Sequence, residues 1–193
     1  MRICRVDMLE KTVLKIACVM LCMLCTAAFV EGSGRDTRSQ RLSGPQVDAG
    51  RLEKKIHALI NRERKKKGLP ALLWDERLHR IAGKYSRDME QRDFFAHTDP
   101  DGRTFCDRYK AARYDCRIRT GDTICLGAEN ISQDNLPAVI DGGTEDRIAE
   151  SVVRRWISSR GHRTNILTPY FKRQGIGVAL SEDGRVYVTE NFC

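Results

Sequence analysis

Apolar residues recur at helical spacing in three stretches that follow residue 48. The first stretch is predicted to end at Gly68 and Pro70, and the second is predicted to begin with Asp75 as its N-cap. The third runs from about Glu145 to Ser159, and a short helix is expected through Tyr109. The residues expected to face the core are Leu52, Ile56, Leu59, Ile60, Leu78, Ile81, Ala82, Tyr85, Met89, Ile148, Val152 and Trp156.

The spacing changes near the C-terminus, where β-rich runs replace the helical pattern. "GIGVAL" and "RVYVTENF" flank a turn at Ser181–Gly184, which predicts a hairpin. A third strand is expected around Ile124–Ile131. Helices that come first and a hairpin that comes last, without βαβ alternation, predict an α+β fold around an antiparallel sheet.

The N-terminal segment has the pattern of an export signal. An apolar run at Ile16–Val30 follows four basic residues, as in a secretory signal peptide. The run is short for a membrane span, which needs roughly 20 residues. We therefore expect residues 1–32 to be a signal peptide or an N-terminal membrane anchor, residues 33–48 a linker and residues 49–193 the folded domain. The N-terminal segment is expected to engage a membrane at least during export, and the protein to be secreted or held in the cell envelope.

The cysteines agree with export into an oxidising compartment. Of the eight cysteines, the four beyond the apolar run are Cys106, Cys116, Cys125 and Cys193. An even number predicts disulfides, with three possible pairings. A zinc site made by these cysteines is the rival interpretation, but none of the four forms a C-x-x-C pair.

The formal charge of +8 does not indicate a nucleic-acid-binding protein. Much of the charge lies in "RERKKKG" at Arg62–Gly68, where basic residues complement a helix C-terminus. No aromatic residue is interleaved with them, so no nucleic-acid partner is expected.

Three side chains suited to proton transfer or metal binding lie far apart in the chain. His97 occurs in "FFAHTDPDG", Glu129 in "GAENIS" and His162 in "RGHRTN", where Gly161 is expected to end a helix. Two imidazoles and a carboxylate can hold a metal or perform acid–base chemistry. Alternatively, each side chain bonds locally and fixes a loop. The chain has neither an H-E-x-x-H nor a G-x-S-x-G motif, which disfavours a zincin protease or a serine hydrolase.

Five ordered motifs resemble the CAP superfamily, which contains the cysteine-rich secretory, antigen 5 and pathogenesis-related 1 proteins. They are "INRERKKKGLPALLWDERLHRIAGKYSRDM", "FFAHTDPDG", "GAENIS", "WISSRGHRTNIL" and "GIGVA…VYVTENFC", and they cover residues 52–193. The short loops are similar to those of the microbial, SCP-like extracellular branch. The resemblance implies a three-layer α-β-α sandwich with a central, mainly antiparallel sheet.

The resemblance also implies a central cleft with two histidines and usually two acids. His97 and His162 match the histidines, which in some members bind zinc or another divalent metal, and Glu129 matches one acid. Asn165 and Glu190 are further expected to line this cleft.

The second acid of the family pattern is absent here, because Trp156 is followed by Ile157, Ser158 and Ser159. For the cysteines, the resemblance implies a Cys116–Cys193 bridge, which leaves Cys106 to pair with Cys125.

We therefore expect an exported ligand-binding module for a small lipid or an envelope component, with a divalent metal as a possible aid. One alternative is a metal-dependent hydrolase or peptidase that uses His97, Glu129 and His162. Another is a defence or interaction protein that acts through its surface. The missing acid favours the non-enzymatic interpretations.

Overall fold

The computed structural model describes residues 46–193 apart from residues 121 and 122. The helices are α1 Ala49–Lys66, α2 Glu76–Gln91, α3 Phe105–Ala111, α4 Thr144–Ser158 and α5 Arg160–Ile166. The strands are β1 Leu73–Trp74, β2 Ile118–Thr120, β3 Thr123–Cys125, β4 Ala128–Asn135, β5 Arg173–Leu180 and β6 Arg185–Phe192. No helix within this part of the chain is long and apolar enough to cross a membrane. The predicted export segment lies outside the described residues.

The helices begin where side chains satisfy the free N–H groups of the first turn. Asp75, predicted as an N-cap, accepts hydrogen bonds from the N–H groups of Arg77 and Leu78 at the start of α2. Asp48 accepts one from the N–H of Arg51 at the start of α1. Beyond the end of α1, Gly68 adopts a φ of +68°, a conformation that glycine takes without strain.

The main sheet has four strands in the order β1-β5-β6-β4. The predicted hairpin is β5–β6, and β4 pairs antiparallel with β6 along its whole length. The short strand β1, which the sequence did not predict, is parallel to β5. The sheet is therefore mainly antiparallel, with one parallel edge.

The third strand lies later in the chain than expected, at 128–135 rather than 124–131. Residues 123–125 belong instead to a separate two-stranded sheet formed by β2 and β3. Gly127 separates the two segments, because its φ of +95° interrupts the extended chain. A Cβ at this position would lie 2.5 Å from the carbonyl oxygen of Phe192.

Helices cover both faces of the main sheet, so the expected three-layer α-β-α sandwich is confirmed. On one face, α1 and α4 pack on alternate residues of β5 and β6, including Ile176, Val186 and Val188. On the other face, Tyr85 and Met89 of α2 pack on Tyr187 and its neighbours. The alternation of Val186, Tyr187 and Val188 gives each helical layer its own apolar surface.

Helix α2 lies unusually close to the sheet at two glycines of "GIGVAL". A Cβ on Gly175 would lie 2.0 Å from the backbone N of His79, and one on Gly177 would lie 2.0 Å from the N of Gly83. The absence of side chains at these positions lets the helix backbone rest directly on β5.

A disulfide joins Cys116 to Cys193, with their Cα atoms 5.6 Å apart, as the family resemblance implied. It fastens the segment that follows α3 to the end of β6. The pairing of Cys106 with Cys125 stays a prediction, because the side chain of Cys125 lies outside the described part.

Candidate functional site

Three elements bring the predicted chemical groups together beside the edge strand β4. His97 lies in the segment after α2, Glu129 is the second residue of β4 and His162 lies on α5. The imidazole rings of His97 and His162 have their centres 6.3 Å apart. Nδ1 of His97 lies 3.0 Å from Oε1 of Glu129. The structure therefore gathers all three side chains into one cleft.

His162 reaches the cleft from a helix, which the sequence did not predict. Gly161, expected to end a helix, lies inside α5. The break comes earlier, at Ser159, whose extended backbone (φ −81°, ψ 124°) separates α4 from α5. Helix α5 takes a new direction from that residue and carries His162 towards β4.

Glu129 is held between His97 and a basic residue that sequence reasoning missed. Its side chain is only 1% exposed, and its Oε2 accepts a hydrogen bond from Nη2 of Arg108 at 2.7 Å. The same nitrogen of Arg108 lies 3.3 Å from the carbonyl oxygen of His97. The guanidinium also lies over the ring of Tyr85, 3.3 Å from its centre. Arg108 therefore balances the buried charge of Glu129.

A signal for Arg108 exists in the sequence. A buried carboxylate needs a charged or hydrogen-bonding partner, and a short helix through Tyr109 was expected. Arg108 directly precedes Tyr109 on that helix. Only the folded structure shows that this helix faces β4.

Glu129 also fixes the orientation of His97. Because a carboxylate only accepts hydrogen bonds, Nδ1 of His97 carries the proton and Nε2 is left for a ligand. The imidazole of His97 is 41% exposed, so a ligand can reach it.

His162 is suited to the same task, because its neutral form is favoured. Its side chain is half-buried, and this burial lowers the pKa of the imidazole. The proximity of His97 lowers that pKa further, since two imidazolium charges would repel each other. His162 therefore keeps a free lone pair at neutral pH.

The two imidazoles are the groups that could hold a divalent metal ion here, whereas Glu129 does not serve as a third ligand. Two rings bound to one tetrahedral zinc ion at about 2.0–2.1 Å have their centres roughly 5 Å apart, so the rings of His97 and His162, 6.3 Å apart, would approach each other by about 1 Å on binding it. Both oxygens of Glu129 are already bonded, to His97 and to Arg108. Within the described chain, no group of three His, Cys, Asp or Glu side chains could hold a metal. Any metal would therefore keep open positions for water or a ligand.

Asn165 connects α5 to β4 and so positions His162. Its Nδ2 lies 2.9 Å from Oδ1 of Asn130 and 3.3 Å from the carbonyl oxygen of Glu129. The Nδ2 of Asn130 in turn lies 3.4 Å from the carbonyl oxygen of His162. These contacts hold the two elements of the cleft together.

Glu190 does not line the histidine cleft, contrary to expectation. It lies opposite Asn130 in the sheet, while Glu129 lies opposite Asn191. Since successive side chains of a strand point to opposite faces, Glu190 and Glu129 lie on different sides of the sheet. Glu190 is fully buried, bonds to Nδ2 of Asn130 at 3.2 Å, and its burial raises its pKa to about 8.

The three-layer sandwich and its two-histidine cleft define a domain of the SCP-like, extracellular type. Residues 57–192 match the family model described as "Cysteine-rich secretory protein family", called CAP. The chain therefore belongs to the CAP family.

Bacterial proteins are among its relatives. The chain is 32% identical to the uncharacterised protein YkwD of Bacillus subtilis over 86% of its own length and 56% of that of YkwD. An extracellular protein with an SCP domain from Bacillus anthracis shares 27% identity and a TM-score of 0.58, over 78% of this chain and 44% of that one. An outer surface protein of Borrelia burgdorferi has the same fold, with a TM-score of 0.59 and 20% identity over 76% of this chain and 94% of that one. The chain thus spans about half the length of its Bacillus relatives.

Proposed function

We propose that this CAP domain is an extracellular ligand-binding module whose cleft holds a divalent metal ion between His97 and His162. The observation that carries the proposal is the pair of facing imidazoles, one of them oriented by Glu129. A bound ion would supply a Lewis-acidic point of attachment for an anionic or carbonyl group of an envelope ligand.

Binding is favoured over hydrolysis by the way in which Glu129 is engaged. With both imidazoles bound to the proposed metal, a hydrolase that activates water would need a carboxylate with a free acceptor beside the substrate. Both oxygens of Glu129 accept hydrogen bonds, and the helix residues after Trp156 carry no second acid. The cleft is therefore better suited to holding a ligand than to cleaving it.

A calorimetric titration of the purified protein with zinc tests this proposal. We expect one site, lost in His97→Ala and in His162→Ala, and weakened about 10- to 100-fold in Glu129→Gln, which removes the orienting carboxylate. His79→Gln, which changes a histidine on α2 outside the cleft, is the matched control and should bind zinc normally. Zinc binding that survives the loss of either cleft histidine would overturn the proposal. Peptide cleavage by the native protein that both histidine variants lose would establish the hydrolase alternative.

A groove between α1 and α4 supports a lipid as the ligand of this module. The groove has a volume of about 400 Å³, and Leu59, Val153 and Ile157 form its apolar part. Its polar part is formed by Arg62, Glu63, Glu150, Arg154 and Ser158, of which the two arginines could pair with an acidic head group. The volume lies within the range of roughly 300–1,000 Å³ that is usual for small-molecule sites.

Lipid extraction followed by mass spectrometry tests the lipid assignment separately from the metal. We expect a co-purified fatty acid or similar lipid, lost in Ile157→Trp, which fills the groove. Val139→Trp, at an exposed position that does not line the groove, should retain it. Equal lipid content in both variants, or none in the native protein, would exclude this groove as a lipid site.

A further inference from the structure

A second cavity, separate from the facing histidine rings, lies between α2 and α3. Its volume is about 320 Å³. Ile81 and Tyr85, both buried, and Ala111 and Ala112 are its least polar lining residues. The two alanines leave space between the helices that larger side chains would fill.

The charges around this cavity are unbalanced. Five basic and three acidic side chains line it. Each acid already has a partner. Asp99 bonds to Arg103 at 2.8 Å, and Asp88 lies 3.5 Å from Arg92. Asp107 accepts a hydrogen bond from the hydroxyl of Thr104 at the start of α3. The acids therefore leave part of the basic charge without compensation.

Arg80 and Lys84 carry this uncompensated charge. They lie one helical turn apart on α2, and in the part of the chain that the structure describes neither forms an ion pair or a side-chain hydrogen bond. Like charges at this spacing destabilise a helix. Both side chains are exposed and solvated by water, and an anion between α2 and α3 would reduce their mutual repulsion.

Arg108 contributes a further donor. It lines the cavity, and its Nε is buried without a hydrogen-bond partner among the described residues. A buried, unsatisfied N–H group is costly, and an anionic ligand would satisfy it. Arg77 is already partly engaged, because its Nη2 bonds to the carbonyl oxygen of Arg113 at 2.7 Å.

We propose that the groove between α2 and α3 binds a small organic phosphate. A phosphate carries up to two negative charges and several acceptor oxygens, which match two unpaired cations and the free N–H of Arg108. The apolar side of the groove accommodates the organic part of the ligand. The volume of about 320 Å³ suits a small ligand. Such a group can come from a free phosphate ester or from a phospholipid head group, and the two have the same recognition chemistry.

Titration of the full-length protein with three probes tests the proposal: inorganic phosphate, glycerol 3-phosphate, and vesicles of phosphatidylglycerol and phosphatidylcholine in equal parts. The test variant is Arg80→Gln/Lys84→Gln. The matched control is Lys65→Gln/Lys67→Gln, which removes the same charge from exposed positions at the end of α1. Neither variant alters the metal-binding histidines, so this test can fail while the proposed function stands.

We expect the test variant to bind glycerol 3-phosphate about tenfold or more weakly than the native protein, and the control to bind it normally. Ala111→Leu should weaken glycerol 3-phosphate more than inorganic phosphate, because it fills the apolar side and leaves the charges in place. A loss seen with the soluble ester assigns the groove to free phosphate esters, and a loss seen only with vesicles assigns it to lipid head groups. Equal weakening in both variants, or no binding of any probe by the native protein, would overturn the proposal.

Discussion

Arg108 controls the electrostatics of the histidine cleft at the scale of single residues. It is the cation that compensates the buried carboxylate of Glu129, and it also lies against Tyr85 and faces the second cavity. Without it, Glu129 would keep only His97 as a side-chain hydrogen-bond partner among the described residues.

We expect Arg108→Gln to lower the free energy of unfolding by about 3 kcal/mol, because it leaves a buried carboxylate without its strongest partner. Urea denaturation at pH 7 measures this change. Lys110→Gln, an exposed change on the same helix, should cost less than about 0.5 kcal/mol. Equal stabilities of the two variants would show that Arg108 does not compensate Glu129.

Glu190 makes the stability of the fold depend on pH. Burial raises its pKa from the ordinary 4.5 to about 8, although the nearby charge of Arg64 opposes part of that rise. Between these two pH values the folded protein keeps a proton that the unfolded chain loses. Stability from Glu190 is therefore present at low pH and lost as the pH rises towards 8.

Glu190→Gln should remove this dependence, because glutamine is neutral at every pH and has a similar shape. We expect the variant to be more stable than the native protein at pH 8 and similar to it at pH 4.5. The difference in the free energy of unfolding between the variant and the native protein should change by up to about 1.4 kcal/mol per pH unit. Urea unfolding of both proteins across this range measures it, and the comparison cancels the opposite trend expected of His57 and His162, whose pKa values are lowered. A constant difference would contradict the assignment.

The sequence supported a hypothesis for His97, Glu129 and His162, because their motifs are local and their chemistry is recognisable. It did not predict Arg108 as the partner of Glu129, because this contact joins α3 to β4 across 21 residues. It placed Glu190 wrongly for a different reason. The faces of β4 and β6 depend on strand register, and a shift of one residue moves a side chain to the other side of the sheet.

At the scale of elements, the packing of α2 on β5 depends on two glycines. We expect Gly177→Ala to lower the free energy of unfolding by about 3 kcal/mol or more, because its Cβ would lie 2.0 Å from the backbone of Gly83. Gly142→Ala is the control, since no atom lies within 4 Å of the added Cβ. Thermal unfolding compares the two variants. A Gly177→Ala protein with native stability would show that α2 does not lie this close to the sheet.

Helical elements were predicted well where apolar periodicity was long, as in α1, α2 and α4. The short elements were not. The strand β1 has only two residues, and α5 follows α4 after one extended residue, so neither leaves a periodic pattern in the sequence. The position of β4 depended on the conformation of Gly127, which composition alone does not give.

At the scale of the whole molecule, the Cys116–Cys193 disulfide closes a large part of the chain, with a sequence separation of 77. We expect the Cys116→Ser/Cys193→Ser variant to lose about 4 kcal/mol of stability, mainly because the unfolded chain gains freedom. Guanidinium denaturation under oxidising conditions measures this loss. Unchanged stability of the variant would contradict a structural role for the bridge.

The architecture as a whole followed from the sequence more fully than its site did. The order of helices and the final hairpin indicated an α+β fold, and the resemblance added the three layers. The arrangement of the cleft required the fold, since residues 97, 129 and 162 meet only when β4 forms the sheet edge beside α5.

The central claim is that folding makes His97 and His162 a single binding site. Nitrogen NMR of the imidazole side chains during a zinc titration tests it most directly, because the chain contains only four histidines. We expect Nε2 of His97 and one ring nitrogen of His162 to shift together up to one equivalent of zinc, while His57 and His79 stay unchanged. Separate shifts of the two cleft histidines at different zinc concentrations, or a shift of only one of them, would contradict it.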